Sequence, residues 1–436
     1  MADFSCRRII SGWVKQAKIE SRKGTRCKLI MIGLVKIGLL FFLIILLVIK
    51  KLDLWLTLVI GSVVLGLLFQ TPLSSIGEVF LAAGMDSKTL KLIGALLLIL
   101  LFSNLMDETG ELRKMLESFK SILHDLRIVV GILPAIIGLV PLMGGAVISA
   151  PMVVTASDEL NLSRERRTFL NYWFRHIWEY VLPTYPGIVL ASAILGVSIR
   201  EISLVNLPLF LAAVCSGIVF GYRDVRRNSP INELCEKGDL TKNLYQLIRS
   251  LFPLLLALFL VIVLKVDLVY SFVLTVAVLW VLYRISLRDM GRMVRKSISI
   301  EMALMVLGVM FFQNMLETTK AISVISEGLS AIGFPTLLIL ISLPFIAGIL
   351  TGITIAFVGI TFPILLPFFH SDGHFLTYMM LSYASGYCGV ILSPMHLCLI
   401  LTKDYFKAGL NGVYRLLWLP AISVFCVGLI ITLIWG

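Results

Sequence analysis

"IVVGILPAIIGLVPLMGGAVISAPMVVTA", residues 128–156, decides the fold: it either crosses a membrane once or enters and returns. Pro134, Pro141 and Pro151 divide it, and Met143-Gly144-Gly145 offers a flexible tip. Residues 128–140 give about 20 Å of helix at 1.5 Å per residue. That is short of the roughly 30 Å hydrocarbon core. A single kinked span is the plainer reading, because proline is tolerated in membrane helices.

The membrane itself follows from composition. The chain is 58% hydrophobic and 15% charged, and its apolar residues fall in long runs. Leu29 to Ile49 carries one charge, Lys36, and Leu247 to Leu282 carries only Arg249, Lys265 and Asp267. A spanning helix needs about 20 such residues. The net charge of +12 resides in the loops between these runs, a pattern of cytoplasmic retention and not of nucleic-acid binding. Cys6, Cys27, Cys215, Cys235, Cys388, Cys398 and Cys426 form no CxxC, so neither a zinc nor a disulfide framework is expected. The first 28 residues hold eight basic residues and no apolar core, so no cleavable signal is expected there.

Charge also decides between span and hairpin. If 128–156 and its later counterpart 335–367 are both re-entrant, ten helices span. Loops 50–53, 107–127, 157–176, 221–249, 284–299 and 401–416 then share one side with 24 Lys and Arg. The other side, the tail apart, holds Lys88, Lys91, Arg200, Lys265 and Lys320. If both stretches span, the division is 17 to 12. The positive-inside rule expects strong asymmetry, which favours hairpins. The basic loops are then cytoplasmic in a cell membrane, and both termini are extracytoplasmic. The basic tail 1–30 conflicts with this. A start site assigned upstream of Met31 would account for it; a basic interfacial segment is the alternative.

An internal repeat sets the domain organisation. "FSNLMDET" (Phe102–Thr109) matches "FQNMLETT" (Phe312–Thr319) at an offset of 210. The same offset pairs Glu117 with Glu327, Pro134 with Pro344, Gly138 with Gly348 and Ala146 with Ala356. Residues 31–220 and 247–436 form the two halves, and 221–246 is a cytoplasmic linker. The first half reads as helices near 33–49, 54–69 and 89–106, hairpin 128–156, a proline-broken helix 169–195 and a closing helix 202–220. The second repeats this at 247–264, 267–283, 300–316, 335–367, 375–400 and 413–435. Five spans per half is an odd number, so the expected fold is an all-α polytopic membrane protein built as an inverted repeat. Inverted repeats with interrupted helices are characteristic of secondary transporters.

This plan resembles the ion-transporter superfamily of divalent-anion/Na⁺ symporters, citrate and gluconate permeases, and arsenite and Na⁺/H⁺ antiporters. Within it, "GYCGVILSPMHLCLILTKDYF" (Gly386–Phe406) and "PLMGGAVISAPM" (Pro141–Met152) look closest to an uncharacterised prokaryotic integral membrane family. The resemblance covers about residues 31 to 436 and implies alternating access, with substrate between hairpin tips and helix breaks. The Ser-Asn-Thr motif of the dicarboxylate symporters is absent from both hairpins, so their substrate and sodium sites do not carry over whole.

Candidate substrate- or ion-binding residues lie at the tips and breaks: Gly144, Gly145, Ser149, Pro183, Thr184, Thr351, Gly352, Thr354, Thr361, Ser393, Pro394 and His396. Tips and breaks free backbone groups that a membrane tolerates only in a wet or protein-lined cavity. Pro183 pairs with Pro394 once the offset drifts to 211. His176 and Glu179 share a helical face and are candidates for proton or cation coupling. The competing reading puts them at the headgroup level among Tyr172, Trp173 and Trp178. Arg175 is expected to pair locally or snorkel. His396 reads equally as a satisfied core histidine or as a substrate contact. His176, Glu179, His396 and Cys398 would suit a transition metal chemically, but no spacing fixes their mutual distance, and no metal is assigned. Asn104 and Asn314 read as helix-end amides, and 107–125 and 317–333 as interfacial amphipathic stretches.

The functional expectation is a secondary active transporter of a small ion or organic anion, coupled to H⁺ or Na⁺, with no covalent cofactor. A passive channel and an intramembrane enzyme using His176/Glu179 are the alternatives. No GxxxxGK[ST] loop occurs to power a pump. Expected partners are the substrate and the lipid bilayer, without nucleic acid; a homodimer is left open.

Overall fold

A computed structural model describes residues 31–123, 125–141, 145–223, 225, 240–331, 333–370 and 373–435. The tail 1–30, most of the linker and the tip residue Gly144 lie outside the described residues. Every element among those described is helical.

The first half runs α1 (Met31–Ile49), α2 (Leu54–Leu68), α3 (Leu73–Met85), α4 (Ser87–Glu108) and α5 (Glu111–Ile122). The arms α6 (Leu126–Gly138) and α7 (Gly145–Glu159) follow. Next come α8 (Arg164–His176), a 3₁₀ turn Ile177–Tyr180, α9 (Pro186–Leu195), α10 (Ile199–Val205) and α11 (Leu207–Gly221). The second half has α12 (Leu240–Leu258, extended by a π turn to Val263), α13 (Leu268–Leu282), α14 (Leu287–Ser297), α15 (Ile300–Thr318) and α16 (Ala321–Ala331). Arms α17 (Thr336–Thr351) and α18 (Thr354–Phe369), a broken pair α19 (Phe375–Ile391) and α20 (Leu397–Phe406), and α21 (Leu410–Trp435) complete it. The order of elements thus recurs, α10 excepted.

Five described helices are long and apolar enough to cross a membrane: α1, α4, residues 241–263, α15 and α21. The pair α9 and α10 is bent by 114°. Helix α1, residues 241–263 and α21 expose Val35, Leu39, Phe42, Phe259, Ile430 and Leu433, as lipid contact requires. The four hairpin arms are shorter, 13 to 16 residues, and α6 packs on α7 and α17 on α18.

Several boundaries differ from the sequence reading. No element was assigned to 73–85, where α3 forms; "LSSIGEVFLAAGM" mixes polar and apolar residues too closely for a span. The closing helix expected at 202–220 divides at Asn206, with Pro208 opening α11. The helix expected from 169 starts at Arg164, capped by Ser163, and stops at His176. Glu179 therefore sits in the 3₁₀ turn and not in the helix proper.

The halves interlock reciprocally. Helix α2 packs on α15 and α4 on α13; α3 lies on α15 and α14 on α4. The hairpin arm α7 packs on α20, and α18 on α9. Lipid is as apolar as a leucine core, so such association depends on small residues and interhelical hydrogen bonds. Gly138 and Gly348 supply both halves with the same device. A Cβ on Gly138 would strike the Arg175 carbonyl, and one on Gly348 the Gly386 carbonyl. Between α17 and α19–α20 the contact repeats as rungs. Ser385 donates to the Ile341 carbonyl at 2.6 Å and Ser393 to Ile349 at 2.6 Å, with Gly389 pressed on the Phe345 carbonyl between them.

Candidate functional site

The site grows out of two prolines. Pro183 has no N–H to offer the Glu179 carbonyl and its ring crowds that oxygen. The chain therefore tightens into the 3₁₀ turn and leaves α-helical geometry until Pro186 opens α9. Pro394 interrupts the second half in the same way between α19 and α20. Each break strands backbone carbonyls, and buried carbonyls need donors.

Side chains of the opposite half supply them. Tyr383 donates to the Glu179 carbonyl at 2.7 Å and Tyr387 to that of His176 at 2.8 Å. In return, Tyr172 donates to the Ile391 carbonyl at 3.0 Å. Tyr172 and Tyr383 are 211 apart, the drifted repeat offset, so the two broken helices cap one another. Asn206 reaches the Tyr180 carbonyl at 3.0 Å and Tyr414 that of Leu392 at 3.1 Å.

This crossing brings His176 and His396 together, with Nε2 atoms 3.1 Å apart. Both imidazoles are buried. His176 Nδ1 lies 2.6 Å from the Tyr172 carbonyl, and His396 Nδ1 lies 2.7 Å from the Gly352 carbonyl. A carbonyl only accepts, so each Nδ1 carries a proton and the two Nε2 atoms face each other. Glu179 Oε1 lies 3.9 Å from His176 Nε2, and its Oε2 accepts from Thr354 at 2.7 Å. Thr354 is the first residue of α18, so the second hairpin reaches the first break at its tip. Gly352, in the left-handed conformation at φ 65°, turns that tip. A Cβ there would meet His396 and the Ser393 hydroxyl.

Six of the expected residues therefore converge: His176, Glu179, Gly352, Thr354, Ser393 and His396. Thr351 donates to Ala347 within its own helix, next to Gly352. Thr184 is buried in the first break, its hydroxyl without a hydrogen-bond partner among the described residues. Pro183 beside it is also buried, whereas Pro394 is exposed. Thr361 stands about 10 Å further along α18 and donates to Phe357. Ser149 is buried in α7 and directed at the Gly145 carbonyl, 3.5 Å away. Asn104 donates to Ser297 at 2.8 Å, joining the halves, and Asn314 is half-buried near the end of α15.

Arg175 meets the first of its two expected alternatives, local pairing, through Tyr185. It does not snorkel: at 3% exposure its guanidinium lies against Gly145 at the start of α7, with Tyr185 Oη 3.4 Å away. The capping role of the tyrosines was not expected. The only sequence signal for the tyrosines was the 211 offset between Tyr172 and Tyr383. In the stretch expected to be interfacial, Glu111 is buried and accepts from Ser250 at 2.6 Å, joining α5 to α12.

Fold and site together define a helical, membrane-type protein in which two proline-broken helices cap each other around a buried histidine pair. The chain belongs to the family described as "Protein of unknown function (DUF401)", which matches residues 34–435. No curated protein matches it.

Proposed function

We propose that this chain is a secondary active transporter of a small ion or organic anion, coupled to H⁺ or Na⁺, working by alternating access. The observation that carries the reading is the meeting of both broken helices and the second hairpin tip at His176, His396, Glu179 and Thr354. Irregular backbone deep among apolar helices is where transporters bind their substrates. The reciprocal packing of the halves supports an inverted repeat, and the short paired arms support ten spans with two re-entrant hairpins. The basic loops then face the cytoplasm. Likeness to the ion-transporter superfamily belongs to the same reading. Arg175, buried at the N-terminal end of α7, suits a negative group on the substrate, since both carry positive potential. Glu179 is the coupling residue of choice: a carboxylate held by Thr354 at a hairpin that alternating access would move.

Purified protein in liposomes tests this. Uphill accumulation of one member of a panel of small anions, driven by an imposed H⁺ or Na⁺ gradient, is expected. Glu179→Gln should lower that uptake at least tenfold while the folded yield is kept. Ion conductance with no dependence on a second gradient would establish a channel instead.

A further inference from the structure

We infer that His176, His396 and Cys398 form a binding site for a zinc-class transition-metal cation. Glu179, its Oε1 3.9 Å from His176 Nε2, would have to move to serve as a fourth ligand. One ligand atom from each of His176, His396 and Cys398 lies within 4.8 Å of the others. Nitrogen atoms about 2.0–2.1 Å from a tetrahedral zinc stand roughly 3.3 Å apart; the Nε2 atoms here stand at 3.1 Å. Closure around an ion therefore needs only a few tenths of an ångström at the histidines. Two facing lone pairs repel unless a cation or a proton lies between them, which is a reason for these rings to be held so.

The surroundings are those of metal ligands. A ligating histidine almost always passes its other N–H to a carbonyl or carboxylate, which fixes the tautomer. Both rings do this, onto Tyr172 and Gly352. Thr354 orients the Glu179 carboxylate in the same manner. Cys398 sits in the first turn of α20, where the helix dipole favours a negative ligand. Imidazole and thiolate together select zinc-like ions over magnesium or calcium. A divalent ion, one thiolate and one carboxylate sum to zero, so burial is supportable beside Arg175, whose guanidinium lies against α7. Tyr172 packs against both rings, tilted on His176 and edge-on to His396. Binding sends the thiol proton, and any proton shared by the Nε2 atoms, to solvent. Met395 and Leu397, on either side of His396, are 45% and 55% exposed.

The inference goes beyond the transport reading and is tested without transport. Untagged full-length protein in detergent is stripped with a chelator and titrated with Co²⁺. One saturable equivalent per chain is expected, with a thiolate-to-cobalt charge-transfer band and the strong visible absorption of four-coordinate cobalt. Added Zn²⁺ should displace it with release of protons. Cys398→Ser should abolish the charge-transfer band at an unchanged melting temperature, and His396→Gln should weaken Zn²⁺ binding at least tenfold. A chain with its other six cysteines changed to alanine should keep the band. A charge-transfer band that survives Cys398→Ser, or no saturable site at all in the folded wild type, would overturn the assignment. Inactive liposomes with an intact cobalt spectrum would overturn only the transport reading.

Discussion

The two helix breaks share a cause and differ in character. The first, from Ile177 to Tyr185, is almost wholly enclosed and brings Arg175, His176 and Glu179 inside the protein. The second, from Leu392 to His396, exposes Pro394 and Met395 and contributes one ionisable side chain. One proline device thus has two settings: the first break concentrates charge, and the second opens onto the surface. The two share packing but not chemistry. Gly138 and Gly348 retain the shared packing, while at the drifted offset His176 corresponds to Tyr387 and Tyr185 to His396.

The comparison can be broken first at the glycines. Gly138→Val and Gly348→Val should each cost stability at or above the upper end of the ~1–3 kcal/mol typical of overpacking, because backbone and not a pliable side chain is in the way. Folded yield by size exclusion reads this, and Gly94→Ala, which meets nothing within 4 Å, is the silent control. Severe loss from only one of the valine variants would show that the halves are not seated alike.

A smaller effect sharpens it. Tyr172→Phe and Tyr383→Phe each remove a donor from a carbonyl stranded by a proline, at a cost of about 1–3 kcal/mol. Similar drops in melting temperature are expected from the two; a drop from Tyr383→Phe alone would mean that only the first break depends on its partner. The smallest effect concerns access. With the native cysteines replaced, Met395→Cys should react with a water-soluble maleimide at least tenfold faster than Val181→Cys, both folding within about 0.5 kcal/mol of their parent. Equal rates would remove the opening onto the surface.

Much of this was legible in the sequence, because prolines and glycines act locally. Pro183 and Pro394 announced the breaks, and Gly352 the second tip. The Gly138/Gly348 pair was found by offset before its contact was known. The rest depends on residues some two hundred positions apart. Nothing near Cys398 tells that His176 lies beside it, and nothing near Tyr387 tells that its hydroxyl caps the His176 carbonyl. For Arg175 the sequence leaves local pairing and snorkelling open; snorkelling needs a helix facing lipid, whereas α8 is enclosed by α6, α7, α20 and α21. Helix α3 escaped notice because a short, mixed helix has no strong period of its own.

The rungs between α17 and α19–α20 have a mechanical consequence. Ile341 with Ser385, Phe345 with Gly389, Ile349 with Ser393 and Gly352 with His396 recur at a constant separation of 44 residues. They fasten the arm to the broken helix along about three helical turns. A displacement of one must carry the other, so this pair moves as a single bar with His396 at its tip. Glu179 and His176 ride on the other half. Any relative travel of the two halves is then registered directly as a change in the gap between the imidazoles.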